Sequence, residues 1–323
     1  MSTTQHNIDL AWSKATISRL VKNVEKVLVG KHKVIEQAVV ALLCNGHVLL
    51  EDVPGVGKTV LARALAASID LHSSRLQFTP DLLPSDVIGS SVYSPKTGEF
   101  SFMPGPVFTN FLIADEINRA TPRSQSALLE CMAENRVSVD GKSHELPVIF
   151  QVIATQNPIE MQGTFPLPEA QLDRFFLKTG LGYPSLEDEI RVIDAQIERH
   201  PLTNLGPVIS QEDILRLRSY VQQIFVHADI KQYLVKIVAA TRSRDDIALG
   251  AGPRGSLALA AAARAYALIR GQPYVDPQCV IDMVEPILAH RLHLRATFSA
   301  EATPASQILE KIVKGISVPV LRG

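Results

Sequence analysis

A glycine-rich segment, Gly55-Val-Gly57-Lys58-Thr59, has the residue types that point most directly to chemistry. Glycines allow several backbone N–H groups to converge on phosphate oxygens, and a helix that begins directly after them adds partial positive charge. In such a loop the lysine reaches the β- and γ-phosphates, and the threonine hydroxyl binds Mg²⁺. The segment therefore predicts a P-loop for a Mg²⁺-nucleoside triphosphate, with ATP the expected nucleotide. The residues predicted to contact it here are Pro54, Gly55, Val56, Gly57, Lys58, Thr59 and Val60.

One position departs from the general P-loop pattern. That pattern has a glycine five residues before Gly57, where this sequence has Asp52. A carboxylate close to phosphates repels them. The sequence is compatible with a working loop if Asp52 lies at the end of the preceding strand with its side chain turned away.

A second segment, Phe111-Leu-Ile-Ala-Asp115-Glu116, is an apolar run that ends in two acids. A strand that delivers two carboxylates at its carboxyl end is typical of a Walker B motif. In that motif Asp115 would hold Mg²⁺ through water and Glu116 would polarise the attacking water. The alternative is a solvated turn. The position of the pair downstream of a P-loop favours catalysis, and it makes Thr59 and Asp115 the predicted metal-binding residues.

Three single residues are further candidates. Asn157, in Ala154-Thr-Gln-Asn157-Pro158, ends another apolar run, where an amide can contact the γ-phosphate; taken alone it marks a turn. Arg174 precedes a predicted strand and fits either an active-site role or an ion pair with Asp173 or a nearby acid. Arg254, in Gly252-Pro253-Arg254-Gly255, fits either an active-site role or an exposed position in the first turn of a helix.

Strands and helices must position these residues, and their signals alternate along the first part of the chain. Apolar runs predict five strands, over His47–Glu51, Arg75–Phe78, Phe111–Asp115, Phe150–Ala154 and Phe176–Thr179. Helices are predicted over Ile8–Val27, Ile35–Asn45 and Lys58–Ile69, and another begins at Thr121-Pro122. This alternation predicts a parallel sheet with right-handed crossovers.

Two inserts interrupt the alternation. The segment Val87–Phe102 turns around Lys96-Thr-Gly98, and a second segment turns at Asp140-Gly141, so each predicts a β-hairpin. Decoration of a sheet edge is the alternative to a functional role for both.

After Pro184 the strand signals end. Helices are predicted to begin at Ser185 and Ser210 and to cover Ile230–Arg242, Pro253–Ile269 and Pro277–His290. The stretch Glu198–Pro207 reads as a hinge. We therefore predict an α/β domain over residues 1–200 and a helical domain over residues 201–323.

Composition sets broad limits on function. The 323 residues are 46% hydrophobic and 20% charged, which is ordinary for a globular chain. The net charge of -1 gives no overall attraction to nucleic acid or to an anionic membrane. Cys44, Cys131 and Cys279 lack metal-binding spacing and predict buried thiols in a reducing cytoplasm. The sequence shows neither a secretory signal nor an apolar run long enough for a membrane span.

Taken together, these segments resemble the MoxR family of AAA+ ATPases over nearly the whole chain. The most telling run is Arg75-Leu-Gln-Phe-Thr-Pro-Asp81-Leu-Leu-Pro-Ser-Asp86-Val-Ile-Gly89. Further matches are Gly105-Pro106-Val-Phe, Ala114-Asp-Glu-Ile-Asn-Arg119-Ala and Ala154-Thr-Gln-Asn-Pro158. The resemblance implies an α/β fold, with an αβα P-loop core around a five-stranded parallel sheet, two hairpin inserts and a C-terminal all-helical lid.

The resemblance also implies roles for single residues. Asn157 would be sensor 1, Arg174 the arginine finger for the nucleotide of a neighbouring subunit, and Arg254 sensor 2 in the lid. Val29 and Gly30 would contact adenine, although Lys31 follows them where the family usually has glutamine. The predicted catalytic residues are thus Lys58, Glu116, Asn157 and Arg174.

The implied cofactors are ATP and Mg²⁺, and the implied assembly is a homo-oligomeric ring, with six subunits as the family expectation. A head-to-tail interface that closes gives a ring, and an arginine finger in trans makes each site depend on two subunits. The implied partner is a client or adaptor protein, in this family often one with a von Willebrand factor A domain. Its remodelling or activation could serve metal-cofactor insertion or complex maturation.

Two other functions stay open on the sequence. The ATPase subunit of a magnesium chelatase shares the fold and the inserts, but Gln77-Phe-Thr-Pro-Asp81 favours MoxR. The other is a nucleotide-gated binding module or DNA-acting ring with little hydrolysis, which the Asp115-Glu116 pair argues against. The basic cluster His290–Arg295 is assigned to helix-end capping or lid packing rather than to DNA.

Overall fold

The computed structural model describes residues 8–52, 55–96, 98–157, 163–196, 201–295 and 303–319. They form two compact units. One, the α/β unit, consists of Leu20–Ala38 and Asn45–Gln211. The other, the helical unit, consists of the described chain up to Arg19, of Val39–Cys44, and of the chain from Glu212 onward. The division at residues 200 and 201 follows the order of the chain and stays a prediction.

The strands up to residue 180 are β1 (Val48–Glu51), β2 (Ser73–Gln77), β3 (Gly89–Ser94), β4 (Glu99–Pro104), β5 (Phe111–Asp115), β6 (Arg136–Val139), β7 (Lys142–Glu145), β8 (Gln151–Gln156) and β9 (Leu177–Thr179). The helices up to residue 196 are α1 (Leu10–Glu25), α2 (His32–Leu43), α3 (Lys58–Ile69), α4 (Pro84–Ile88), α5 (Pro122–Glu134), α6 (Glu169–Leu172) and α7 (Leu186–Gln196). Helices α1 and α2 are each divided between the two units.

A five-stranded parallel sheet forms the centre of the α/β unit, with the strand order β2-β5-β8-β1-β9. Every residue of β5 is buried, and so are the first five of β8, which means that both faces of these strands are covered. Continuous burial is typical of central strands in parallel sheets. The five strands and the parallel sheet predicted from the sequence are confirmed.

The two predicted hairpins are also present. β3 pairs with β4, and β6 pairs with β7 around a turn in which Asp140 and Gly141 both have positive φ, at 49° and 75°. Such a turn matches the right-handed twist of the strands it joins. The ring of His144 on β7 stacks on Phe102 of β4 with centroids 4.0 Å apart, so the two hairpins pack against each other.

Helix starts in the α/β unit follow the predicted signals. Thr121 is the N-cap of α5, with Pro122 in the first turn. The hydroxyl of Ser185 accepts a hydrogen bond from the N–H of Asp188 at 3.1 Å and donates to the Asp188 carboxylate at 2.8 Å. The bond from the Asp188 N–H to the Ser185 hydroxyl satisfies a donor of the first turn that has no partner within the helix, and it fixes where α7 begins.

The helical unit contains α8 (Gln211–Gln223), α9 (Ala228–Ala240), α10 (Pro253–Arg270), α11 (Pro277–Leu288) and α12 (Ala305–Gly315). The predicted helical C-terminal part is confirmed. It also holds a short antiparallel pair, β10 (Ile247–Leu249) with β11 (His293–Leu294), which the sequence did not indicate. His290 and Arg291 are buried, and Arg291 donates to the carbonyl of Ile287, as expected for helix-end capping.

Two general findings concern the described residues. None of their helices is long and apolar enough to cross a membrane. Their three cysteines are free, and burial raises the pKa of each thiol to about 12. Cys131 and Cys279 are buried as residues, whereas Cys44 keeps part of its surface exposed although its thiol is enclosed.

Parallel strands end at the same edge of a sheet, so this topology gathers four chain segments. They are the ends of β1, β2, β5 and β8, at Glu51, Gln77, Asp115 and Gln156. The P-loop, the acidic pair and the segment before Asn157 therefore meet at one edge.

Candidate active site

The P-loop glycines adopt a backbone conformation that other residues rarely take. Gly57 is the N-cap of α3 with φ 96°, and Gly55 has φ 86°. A Cβ on Gly57 would lie 3.6 Å from Leu28 Cδ2, an ordinary contact, so conformation rather than space requires glycine there. Pro54, also predicted to contact the nucleotide, lies outside the described residues.

Lys58 is held close to the loop by the backbone. Its Nζ donates to the carbonyl oxygen of Asp52 at 2.7 Å. Burial lowers the pKa of Lys58, and the negative charges of Asp52, Asp115 and Glu116 offset part of that effect. The ammonium thus lacks full hydration, which suits it to bind phosphate oxygens.

Asp52 has a partner of its own. Its carboxylate Oδ2 accepts a hydrogen bond from the backbone N–H of Gly182, just beyond β9, at 2.6 Å. The acid in place of the usual P-loop glycine therefore ties β1 to the chain after β9. The Oδ2 atom is therefore directed at the backbone of the segment after β9, while the charge of Asp52 still acts on Lys58.

Asp115 lies at the end of β5 with its carboxylate 7% exposed, and both oxygens have partners. Oδ2 accepts from Thr59 Oγ1 at 3.2 Å and from Arg75 Nε at 2.6 Å. Oδ1 accepts from Thr155 Oγ1 at 3.2 Å. The two predicted metal-binding side chains, Thr59 and Asp115, are therefore adjacent.

Glu116 follows in a left-handed backbone conformation, with φ 55° and ψ 50°. Its N–H donates to Thr155 Oγ1 at 2.9 Å. Its carboxylate Oε2 accepts from Gln77 Nε2 at 2.6 Å and from Arg119 Nη1 at 3.0 Å. Both the backbone and the side chain of the predicted catalytic acid are thus fixed by neighbours.

A cavity of about 340 Å³ opens at this edge of the sheet. It contains the polar ends of the P-loop, of β2, of β5 and of β8. Its lining residues are Gly55, Gly57, Lys58, Thr59, Val60, Arg75, Gln77, Asp115, Glu116, Thr155 and Asn157. The structure therefore brings together the core residues that the sequence assigned to phosphate and metal binding, with buried Asn157 among them.

A second cavity, of about 410 Å³, shares Gly55, Gly57 and Val60 with the first. The other lining residues are Lys26, Val27, Leu28, Val29, Lys31, Val56, Tyr183, Pro184, Glu189, Val192 and Pro201. Ligand pockets are commonly of this volume and largely apolar. Its place beside the P-loop suits the base and ribose, and it includes Val29, which the resemblance assigned to adenine.

Gly30, which the resemblance also assigned to adenine, is not among the residues that line this second cavity. A Cβ on Gly30 would lie 2.1 Å from Asp188 Oδ2, and its φ is 74°, so both space and conformation require glycine. Next to it, Lys31 Nζ donates to the carbonyls of Gly182 and Tyr183 at 3.0 and 2.9 Å. Lys31 thus fastens one wall of the cavity to the segment after β9.

The two predicted arginines are both exposed. Arg174 is exposed and lines neither cavity; its Nη1 donates to the carbonyl of Leu129 on α5 at 2.9 Å. Arg254 is exposed in the first turn of α10, in the helical unit. Their roles as arginine finger and sensor 2 stay predictions.

Four side chains that hold the acids have no role predicted from the sequence: Arg75, Gln77, Arg119 and Thr155. Arg75 and Gln77 are two positions apart on β2, so their side chains point to the same side of that strand. Gln77 pairs in register with Asp115. The two-residue spacing of Arg75 and Gln77 could have identified them, but only together with a strand order that places β2 beside β5.

The donor set fits Mg²⁺. Magnesium prefers hard oxygen ligands and is usually held by one or two carboxylates together with substrate phosphates and water. Thr59 Oγ1 and Asp115 Oδ2, which lie 3.2 Å apart beside the P-loop, supply one hydroxyl and one carboxylate. The left-handed glycines and the start of α3 supply N–H groups suited to an anion.

Comparison with known proteins agrees with this geometry. Residues 47–177 match the model of the ATPase family associated with various cellular activities (AAA), and residues 239–312 match that of the AAA lid domain. The chain is 42% identical to Chaperone MoxR1 of Mycobacterium tuberculosis, over 96% of this chain and 84% of the relative. It belongs to the MoxR family of AAA+ ATPases.

Other proteins are similar over comparable lengths. Protein MoxR of Paracoccus denitrificans is 31% identical, over 84% of this chain and 87% of the relative. The Bacillus subtilis protein YeaC is 48% identical, over 95% of this chain and 96% of its own. A crystal structure of a candidate ATPase from Cytophaga hutchinsonii superposes with a TM-score of 0.88 at 36% identity, covering 96% of this chain and 97% of that one. The predicted family and fold class are confirmed.

Proposed function

We propose that this MoxR-family protein hydrolyses ATP with Mg²⁺ and uses the reaction to remodel or activate a client protein. The observation that carries the proposal is the single cavity at the sheet edge. It is lined by Lys58, Thr59, Asp115, Glu116 and Asn157, which together are the parts that phosphoryl transfer to water requires.

Each side chain has a definite task in this proposal. Lys58, with its pKa lowered by burial, binds the β- and γ-phosphate oxygens. Thr59 and Asp115 would hold Mg²⁺, which when bound neutralises charge that develops on the phosphates. Glu116 accepts hydrogen bonds from Gln77 and Arg119 and would orient the attacking water. Asn157 shares the same cavity and contacts the γ-phosphate.

Two substitutions separate binding from turnover. Lys58→Ala is expected to abolish binding of a fluorescent ATP analogue, because it removes the ammonium that binds the β- and γ-phosphate oxygens. Glu116→Gln keeps the shape and the binding contacts but loses the carboxylate, so it should bind ATP and turn over at least about 100-fold more slowly. Undiminished phosphate release by the Glu116→Gln protein would contradict the assigned role of Glu116.

We further propose that Arg174 serves a neighbouring copy of the chain in a ring, six-membered by family expectation. In support, Arg174 is exposed and lines neither cavity of its own α/β unit. Mixing tests this directly. Arg174→Ala and Glu116→Gln proteins should each be inactive alone. Mixed subunits should regain activity, because an intact Glu116 in one copy can meet an intact Arg174 from the next.

The client is the part of the proposal that rests on relatives. A similar protein carries the name Chaperone MoxR1, which supports action on other proteins. A von Willebrand factor A domain protein is the expected adaptor. Pull-down with the Glu116→Gln protein in ATP, compared with Lys58→Ala as the matched control, should enrich that adaptor or the client only in the ATP-bound form. Equal recovery with both variants would contradict nucleotide-dependent engagement.

A further inference from the structure

One carboxylate oxygen of the acidic pair accepts hydrogen bonds from two donors. Asp115 Oδ2 accepts from Thr59 Oγ1 at 3.2 Å and from Arg75 Nε at 2.6 Å. The second contact is a short, charge-assisted hydrogen bond between a guanidinium and a carboxylate. The Arg75 side chain comes from the neighbouring strand β2, so this contact joins two strands at the edge where the P-loop lies.

The same oxygen belongs to the carboxylate that would hold Mg²⁺. A guanidinium 2.6 Å from Oδ2 stands where a divalent cation or its bound water would approach that carboxylate. Two positive groups so close repel each other, because Coulomb energy at a few ångström is large in a partly buried site. Arg75 and Mg²⁺ would therefore compete for Asp115 Oδ2.

The two ends of the ion pair differ in freedom. The Asp115 side chain is 7% exposed and is also held through Oδ1 by Thr155, whereas the Arg75 side chain is 57% exposed. The exposed guanidinium can move at little cost, while the acid cannot. Arg75 Nη2 also donates to Gln77 Oε1 at 3.2 Å, which gives the guanidinium a second contact on its own strand.

We propose that Arg75 competes with Mg²⁺ for Asp115 and so sets the concentration of Mg²⁺ that nucleotide binding requires. This inference rests on the proposed ATP site and adds a residue that regulates it. Arg75 acts in place of the metal at Asp115: it satisfies a buried carboxylate and leaves Oδ2 when Mg²⁺ takes that position with the nucleotide. It is a positioning residue, since it acts through Asp115.

The test is the Mg²⁺ dependence of nucleotide binding. Affinity for a fluorescent ATP analogue is measured while Mg²⁺ is titrated, for the wild-type protein, Arg75→Gln and Arg75→Lys. Arg75→Gln should lower the Mg²⁺ concentration at half-maximal binding by about 3- to 10-fold, the range of a charge-assisted pair with one exposed partner. Arg75→Lys keeps the charge and should shift the midpoint in the same direction by less.

The matched control is Arg136→Gln. Arg136 Nη2 pairs with Glu134 at 3.0 Å, and the Arg136 side chain is 55% exposed, a fraction similar to the 57% of Arg75. Arg136 lies on β6 and does not line the cavity. Its Mg²⁺ midpoint should equal that of the wild type. Thermal unfolding in EDTA without nucleotide gives a second measurement: Arg75→Gln should unfold at a lower temperature than the wild type, because Asp115 loses its cation.

The outcomes are distinct. An unchanged or raised Mg²⁺ midpoint in both Arg75 variants, with wild-type nucleotide binding intact, would overturn the competition and leave the proposed ATP site standing. A wild-type protein that binds no ATP analogue at any Mg²⁺ concentration would refute the proposed function and this inference with it.

Discussion

Thr155 offers the sharpest test of how the acids are held. It is 1% exposed on β8, and its hydroxyl has two tasks. Oγ1 accepts from the N–H of Glu116 at 2.9 Å and donates to Asp115 Oδ1 at 3.2 Å. Thr155→Val has nearly the same shape and removes both hydrogen bonds without leaving a large cavity. The variant thus isolates the hydroxyl.

The magnitude follows from the partners left behind. A buried N–H or carboxylate oxygen without a partner costs about 1–3 kcal/mol, and more when the group is charged. Glu116 also holds a left-handed conformation that costs an ordinary residue roughly 1–2 kcal/mol, so its N–H contact offsets strain. We expect Thr155→Val to lose roughly 2–4 kcal/mol of stability, a fall in melting temperature of about 5–10 °C for a unit of this size.

The assay combines thermal unfolding with ATPase kinetics. Thr155→Val should lower kcat at least about tenfold, because the Glu116 carboxylate loses its backbone anchor, while the affinity for ATP changes less since Lys58 is untouched. Thr155→Ser keeps the hydroxyl and should stay within about threefold of the wild type. If Thr155→Val matches Thr155→Ser in both melting temperature and kcat, the hydroxyl does not hold the acids and the reasoning fails.

Three further predictions follow from contacts in the α/β unit. Burial lowers the pKa of Lys58 from its ordinary value of 10.5, and bound phosphate should raise it again. The affinity for ATP should therefore fall as the pH rises through the lowered pKa. Calorimetry in two buffers would measure the proton uptake that accompanies binding. Gly30→Ala should cost more stability than Gly98→Ala, measured by thermal unfolding, since both glycines have φ near 74° but only Gly30 has a neighbour, Asp188, at 2.1 Å. Asp52→Asn keeps an acceptor for the N–H of Gly182 and removes one negative charge near the phosphates. ATP should therefore bind about 2- to 5-fold more tightly in a fluorescence titration. Weaker binding would show that the charge itself is needed.

Local patterns were enough to predict most elements of the fold. Apolar runs located the five strands because a buried strand needs consecutive apolar residues. The Asp140-Gly141 pair located a hairpin because the turn needs positive φ at two successive residues, which few residue types accept. Short elements were missed, among them α4 and α6, because four or five residues carry too little periodicity to identify a helix. The β10–β11 pair was missed for the same reason.

The residues of the site also fall into those that local sequence identifies and those that it does not. Residues that act through their own loop, such as Lys58 and Thr59, were found because the P-loop is contiguous in sequence. Arg75 and Thr155 were not, because they act across strands, and the sequence does not state which strand lies beside which. Asp52 shows the same limit in another form: its departure from the P-loop pattern is visible in the sequence, but its partner, Gly182, lies 130 residues away.

The strand order explains why the two carboxylate oxygens of Asp115 have different kinds of hydrogen-bond donor. β5 lies between β2 and β8, so Asp115 receives a donor from each side: Arg75 from β2 on Oδ2 and Thr155 from β8 on Oδ1. The β8 partner is buried and short, and the β2 partner is long and half-exposed. A rigid donor therefore fixes one oxygen while a movable cation shares the other with Thr59. The proposed exchange of Arg75 for Mg²⁺ would depend on this asymmetry, since two rigid partners would exclude Mg²⁺ and two movable ones would leave the buried carboxylate without a fixed position.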